Sequence, residues 1–125
     1  MIRLLLWPLV AVLVVMGAYL TGRFASDNRA LPTIAVALTG NEPEFSAQID
    51  ERIHALFPIG SAEAKLIDYL DAEGFAPGWQ RAGEPRSASF VRRGLLCNKI
   101  VHIVWRPDEH GSLTEIGGSY AGHCF

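Results

Sequence analysis

Cysteine and net charge are both scarce in this sequence, and each shortage excludes a class of function. The two cysteines, Cys97 and Cys124, are too far apart for a Cys-x-x-Cys redox motif. The formal net charge is −2. A general nucleic-acid-binding protein normally carries a strong basic excess, so we predict no nucleic-acid partner.

Catalytic and metal-binding motifs are absent as well. No serine lies in a Gly-x-Ser-x-Gly turn, and the Gly117-Gly118 pair does not follow the strand-to-helix order of a phosphate loop. His123 and Cys124 are adjacent, so in a strand they point to opposite faces and cannot readily share a metal ion. We therefore predict no catalytic residue, no metal and no cofactor, and we expect that the protein is not an enzyme.

What the sequence does contain is a long apolar run near its beginning. Residues 4–20, LLLWPLVAVLVVMGAYL, would form a helix about 26 Å long, close to the hydrocarbon thickness of a bilayer. We predict an uncleaved transmembrane anchor within residues 1–22. The alternative is a cleaved signal peptide, in which Arg3 is the basic start and Val15 and Gly17 are the small residues before the cut. No cysteine near the end of the run could carry a lipid anchor.

The two cysteines are predicted to form a disulfide. The segment between them has the pattern of strand, turn and strand, with the turn at PDEHG (107–111). Folding the hairpin there places Cys97 opposite Gly122, and a β-bulge at the Gly-Gly pair of the return strand would bring Cys124 within reach. Because disulfides persist in oxidising compartments, the pairing places the residues after 22 outside the cytoplasm. The alternative is two free thiols.

A tether and a first helix follow the apolar run. Residues 23–40 are predicted to be a tether that ends in a candidate edge strand, TIAVALTG (33–40). In the next segment Asn41 is the predicted N-terminal cap of a helix, and Glu44 completes a capping box. Pro58 prevents the helix from continuing further. The predicted apolar stripe consists of Phe45, Ile49, Ile53, Leu56 and Phe57.

A second helix and a sheet complete the predicted domain, residues 41–125. Ser61 is the predicted cap of the second helix, and Gly74 with Phe75 forms its Schellman end. A short strand in SFVRRGLL (89–96) then precedes the hairpin. The predicted fold is α+β, with an N-terminal transmembrane helix and two helices packed on a three- or four-stranded antiparallel sheet.

Charge is divided unevenly along this domain. Between Glu42 and Glu73 the only lysine or arginine residues are Arg52 and Lys65. Between positions 81 and 106 the only acidic residue is Glu84. One interpretation is two solvated faces that compensate each other; the other is a basic sheet face that meets anionic headgroups or an acidic partner. That face would comprise Arg86, Arg92, Arg93, Lys99 and Arg106.

Tryptophan beside arginine is typical of protein interfaces. Trp105 lies in an apolar strand and is predicted to be buried, whereas Trp79 follows Pro77-Gly78 and is predicted to be exposed. The predicted interface residues are Trp79, Arg81, Arg86, Arg92, Arg93 and Lys99.

The stretch FPIGSAEAKLIDYLDAEGF (57–75), followed by VHIVWRPDEHG (101–111) and a late cysteine, resembles a motif of small proteobacterial envelope proteins. The architecture is similar to the SmpA/BamE outer-membrane assembly lipoproteins and to β-lactamase-inhibitor-like domains. The resemblance covers roughly residues 42–125 and implies two helices on an antiparallel sheet that binds proteins.

These observations predict a protein-interaction or envelope-assembly module without catalysis, held at the inner membrane by a single pass with its C-terminal domain in the periplasm. Its expected partner is an envelope protein or an anionic membrane surface, and its contact with the membrane is through residues 4–20. The alternative is a soluble inhibitor or ligand-binding protein that is secreted after signal cleavage. Amino-terminal sequencing would distinguish the two, because cleavage would give a start near residue 18.

Overall fold

A four-stranded sheet and the three helices that follow α1 (Ile2–Phe24) make up the packed part of the described chain. The computed structural model describes residues 2–24 and 29–124, and it describes the side chains of 7–19 and 29–124. The helices are α1 (Ile2–Phe24), a 3-10 helix (Thr33–Ala35), α2 (Glu42–Leu56) and α3 (Glu63–Ala72). The strands are β1 (Ala76–Pro77), β2 (Arg86–Arg92), β3 (Cys97–Pro107) and β4 (Leu113–Cys124). The 3-10 helix, α2 and α3 lie against the sheet, so the α+β architecture is confirmed.

Helix α1 covers most of the predicted anchor and includes Pro8. In the described part of the chain, no helix is long and apolar enough to cross a membrane. The transmembrane part of the predicted fold is therefore unsupported.

The segment predicted as an edge strand is not a strand. Its first residues form the 3-10 helix, in which the Ala35 N–H donates to Pro32 O at 2.9 Å. Arg52 of α2 donates to Ile34 O and Val36 O, so this backbone needs no neighbouring strand. Ile34 and Ala35 are buried in the core, which therefore begins before residue 41.

Helix α2 begins as its sequence predicts. The Asn41 side chain accepts a hydrogen bond from Glu44 N at 3.1 Å and caps the helix. Ile49 and Ile53 are completely buried. Leu56, the predicted fourth member of the stripe, is 52% exposed, whereas its neighbour Phe57 packs against the core.

Helix α3 begins one residue later than predicted. Ala62 occupies the cap position without a side-chain bond, while the Ser61 hydroxyl donates to Pro58 O. Residues 60–63 are engaged with the start of β4 instead, since Gly60 N donates to Leu113 O and Leu113 N to Ser61 O, both at 2.8 Å. The C-terminal end is confirmed: Phe75 N donates to Leu70 O, and Gly74 has φ +86°.

The sheet is an antiparallel meander with the strand order β1-β2-β3-β4. The helix-facing side of the sheet provides most of its buried residues, including Phe90, Val101, Ile103 and Trp105. The predicted burial of Trp105 is therefore confirmed. A Cβ on Gly118 would lie 2.8 Å from Ile49 Cγ2, so glycine at this position allows α2 to lie close to β4.

The hairpin of β3 and β4 brings the two cysteines together. Cys97 and Cys124 are cross-strand partners and are joined by a disulfide. The predicted bulge at the Gly-Gly pair is wrong, because the register shift lies between Arg106 and Pro107, which pair with Glu115 and Leu113.

Candidate functional site

Glu63 ties the beginning of α3 to the sheet. Its Oε2 accepts a hydrogen bond from Trp105 Nε1 at 2.8 Å, and its Oε1 forms an ion pair with Arg86. Arg86 and Trp105 are cross-strand partners on β2 and β3, so both bonds converge on one position of the sheet. The Glu63 side chain is only 12% exposed. Glu63 lies in the first turn of α3, where a carboxylate complements the positive end of the helix, and its two partners on the sheet become apparent only in the tertiary structure.

A cleft of about 310 Å³ lies beside this network, between α3 and the β1–β2 edge of the sheet. Its wall is largely apolar and includes Leu70, Phe75, Ala88 and Trp105. Ile67 on α3 also lines the cleft and is 44% exposed. The volume is at the lower end of the range for small-molecule sites.

Charged residues of both signs also line the cleft. Asp68 and Asp71 lie on α3, and Arg86 lies on β2. Asp68 and Asp71 form no ion pair with any residue of the described chain. An apolar wall with a few charged groups suits an apolar side chain of a partner that also carries polar groups.

Trp79 stands between Gly78 and Gln80 in the sequence, and both of these neighbours line the cleft. Its side chain is 96% exposed, which confirms the predicted exposure. Arg81, two residues later, is also exposed. The interface role of both residues stays a prediction.

The six predicted interface residues fall into two groups. Trp79, Arg81 and Arg86 lie at the end of the sheet that holds the cleft. Arg92, Arg93 and Lys99 lie at the other end of β2, and Arg92 and Lys99 are cross-strand partners. Arg86 and Arg92 are six residues apart in one strand, which corresponds to about 20 Å. The structure therefore does not assemble the six residues into one site.

The five basic residues of the second interpretation do not lie on one face of the sheet. Arg86, Arg92 and Lys99 share the helix-facing side of the sheet with the core residues, since Arg86 pairs with Trp105 and Arg92 with Lys99. Arg106 is on the opposite side, where Nε lies 3.2 Å from Glu115 Oε2. Adjacent positions in a strand alternate between faces, so clustering in sequence does not give clustering on one face.

Ser89 and His102 are brought together on the open side of the sheet. The Ser89 hydroxyl lies 2.6 Å from His102 Nδ1. No carboxylate of the described chain forms a hydrogen bond or ion pair with His102, and neither Ser89 nor His102 lines the cleft. Ser89 and His102 are cross-strand partners on β2 and β3, so their hydrogen bond links the two strands.

Two tyrosines have raised pKa values, and neither lies in the cleft. Burial is the main cause of the raised pKa of Tyr69, and the Glu73 carboxylate adds to it. Thr33 Oγ1 donates to Glu73 Oε1 at 2.6 Å, and it lies 2.7 Å from the Tyr69 hydroxyl. Burial also raises the pKa of Tyr120, and Glu42 contributes. Both phenols therefore stay protonated at neutral pH, where they act as hydrogen-bonding groups and not as bases.

Across the described residues, no group of three His, Cys, Asp or Glu side chains is arranged to hold a metal ion.

Leu95 and Leu96 are a feature that the sequence reasoning missed. They form the bend between β2 and β3 and are 61% and 73% exposed. The candidate strand SFVRRGLL (89–96) includes both leucines. The available signal was Gly94, because glycine after two arginines marks the end of a strand.

No family model, no curated protein and no solved structure matches the chain.

Proposed function

We propose that the protein is a protein-interaction module of the cell envelope, and that it binds its partner at the cleft between α3 and the β1–β2 edge. The observation that carries the proposal is Trp79, which is 96% exposed beside an apolar cleft. Ordering an exposed tryptophan against a partner removes a large apolar surface from water, and tryptophan is enriched among the residues that dominate binding energy.

The cleft sets the chemistry of the expected partner. Ile67 and the apolar wall suit an aliphatic or aromatic side chain, and Asp68 and Asp71 suit a basic residue next to it. The β1 edge is an unsuitable place for a partner strand, because Pro77 has no N–H to donate. We therefore propose side-chain docking and not strand addition.

Placement outside the cytoplasm is part of the proposal. It is supported by the Cys97–Cys124 disulfide, since such bonds persist in oxidising compartments. The inner-membrane anchor in residues 4–20 and the likeness to SmpA/BamE-type domains remain proposals as well.

The test is photo-crosslinking of the full-length protein in its native cells. A photoreactive phenylalanine analogue replaces Trp79, and in the control it replaces Val36, which is 45% exposed and does not line the cleft. We expect a discrete protein adduct from position 79 and none from position 36. With the purified partner, Trp79→Ala is expected to weaken binding by about 30-fold. Adducts of equal yield from both positions, or unchanged affinity in Trp79→Ala, would refute the proposal.

A second candidate function is the binding of a small apolar ligand. The cavity volume of about 310 Å³ favours it. Native mass spectrometry of the purified protein would reveal a co-purifying molecule, and Ala88→Leu, which narrows the cleft, would displace it.

A further inference from the structure

The bend between β2 and β3 presents two adjacent leucines to solvent. Leu95 and Leu96 are 61% and 73% exposed. Within residues 29–124, this is the only place where two large, exposed apolar side chains are neighbours in sequence. Bends of this kind usually hold Gly, Asn, Asp or Ser, so two leucines here leave apolar surface in water without improving the turn.

The backbone holds the two leucines at the outermost position of the bend. A Cβ on Gly94 would lie only 2.4 Å from the carbonyl oxygen of Cys97, so the chain closes tightly around the pair. Cys97 is joined to Cys124 at the end of β4. The disulfide therefore anchors the bend to the two longest strands of the sheet, and the leucines project from a rigid base.

Cations surround the bend on both sides. Arg92 and Arg93 precede it and Lys99 follows it. None of the three forms an ion pair within the described part of the chain. Arg52, Arg86 and Arg106 instead donate to main-chain carbonyls or to carboxylates. Glu42, which approaches this end of the sheet, accepts from Gly122 N.

We propose that the Leu95-Leu96 bend inserts into the surface of an anionic lipid bilayer, with Arg92, Arg93 and Lys99 against the headgroups. Paired apolar side chains flanked by unpaired cations are the combination that binds an interface: the leucines enter the acyl boundary and the cations meet negative headgroups. An acidic protein would suit the cations as well, but it would not require two projecting leucines on a tight bend.

This contact would orient the domain. The cleft and Trp79 lie at the opposite end of β2, about 20 Å from the bend. A domain resting on the bilayer by the bend would therefore direct the cleft away from the membrane. The inference is independent of the proposed protein partner, since the two surfaces share no residue.

The test measures hydrogen exchange of residues 93–97 in the full-length protein, with its disulfide intact, on two kinds of vesicle. One is phosphatidylcholine alone and the other is phosphatidylcholine mixed with phosphatidylglycerol. Any association of residues 4–20 with lipid would bring the protein to both kinds of vesicle. A difference in hydrogen exchange at the bend therefore reports contact between the bend itself and the bilayer. We expect exchange about tenfold slower on the anionic vesicles, with the difference reduced by high salt.

Two double variants separate the contributions. Leu95→Ser/Leu96→Ser is expected to abolish the protection, and Arg92→Gln/Arg93→Gln to reduce it by about fivefold or more. The matched controls are Leu56→Ser and Lys65→Gln, which remove an exposed leucine and an exposed lysine elsewhere and should leave the protection unchanged. Exchange of the buried Val101 and Ile103 amides verifies the fold of each variant.

Equal exchange on neutral and anionic vesicles would overturn the proposal, as would protection that survives the leucine substitutions. Protection produced by soluble glycerophosphoglycerol alone would overturn it too, because the bend would then recognise a headgroup and not a bilayer. Protection that requires an added protein would assign the bend to a protein interface.

Discussion

At the scale of single residues, side chains that bond to the main chain shape the loops. Gln48 exchanges two hydrogen bonds with Thr39, one from its amide to the carbonyl and one from the Thr39 N–H to Oε1. In the turn between β3 and β4, Asp108 Oδ1 accepts from His110 N and Ser112 N at 2.8 and 2.9 Å. These bonds replace the backbone partners that a regular element would supply.

Asp108 gives a pH-dependent prediction. Backbone hydrogen bonds from Ser112 and then His110 lower the pKa of its carboxyl below the ordinary value of 3.8. Because the carboxyl has a lower pKa in the folded protein than in the unfolded chain, its ionised form stabilises the folded state at pH values above the unfolded pKa. This stabilisation is lost as the pH falls through the folded pKa. We expect Asp108→Ala to melt a few degrees below the wild type at neutral pH and the gap to close below about pH 4.

Thermal unfolding of both proteins across this range checks the prediction. Asp108→Asn is the control, since its side-chain oxygen can still accept the bonds but does not titrate. A melting difference between wild type and Asp108→Ala that stays constant down to the lowest pH would contradict it.

At the scale of elements, α2 covers the outer edge of β4 with side chains. Gly118 N donates to Asp50 Oδ1 at 3.0 Å, Tyr120 N to Ser46 Oγ at 2.9 Å and Gly122 N to Glu42 Oε1 at 3.2 Å. Residues four positions apart in a helix are separated by about 6 Å along its axis, and residues two positions apart in a strand by about 6.7 Å. These similar spacings allow three side chains of α2 to reach three alternate N–H groups of β4. An exposed edge strand that could pair with another chain is thereby covered.

Ser46 is the central member of this arrangement, because its hydroxyl also donates to Tyr120 O at 3.0 Å. Ser46→Ala leaves the N–H and the carbonyl of Tyr120 without these partners at a half-buried position. We expect it to lower the free energy of unfolding by about 1–2 kcal/mol in denaturant titrations.

The matched control is Ser119→Ala, one residue from Tyr120 on the open side of the sheet. Ser119 is exposed and forms no hydrogen bond through its side chain in the described chain. Its substitution should change the stability by less than about 0.5 kcal/mol. Equal losses in both variants would mean that the α2 contact does not stabilise β4.

At the scale of the whole molecule, the disulfide closes the end of the two longest strands. It joins residues 27 positions apart. A loop of this length corresponds to about 3–4 kcal/mol of stabilisation in the loop-entropy treatment, a large share of the typical stability of a small domain.

We expect Cys97→Ser/Cys124→Ser to lose about this amount of stability in denaturant unfolding. Reducing the wild type should give the same loss, and adding reductant to the double variant should change nothing. Two alkylatable thiols in native protein purified from an oxidising compartment would contradict the disulfide itself.

Local chemistry in the sequence was enough to determine several features of the protein. The Asn41 cap, the Gly74–Phe75 helix end, the buried Trp105 and the hairpin that pairs the two cysteines were all predicted from neighbouring residues or from a short turn. The α+β class follows from the order of these elements, because each apolar face must be covered by another element.

Only the tertiary structure decided where the surfaces lie. It placed Glu63 between Arg86 and Trp105, formed the cleft next to Trp79, and separated two groups of cations by the length of β2. The 3-10 helix replaced the predicted strand because α2 supplies Arg52 to its carbonyls. These features depend on contacts between residues far apart in the chain and on the side of the sheet that each residue faces, and the sequence pattern alone did not specify either.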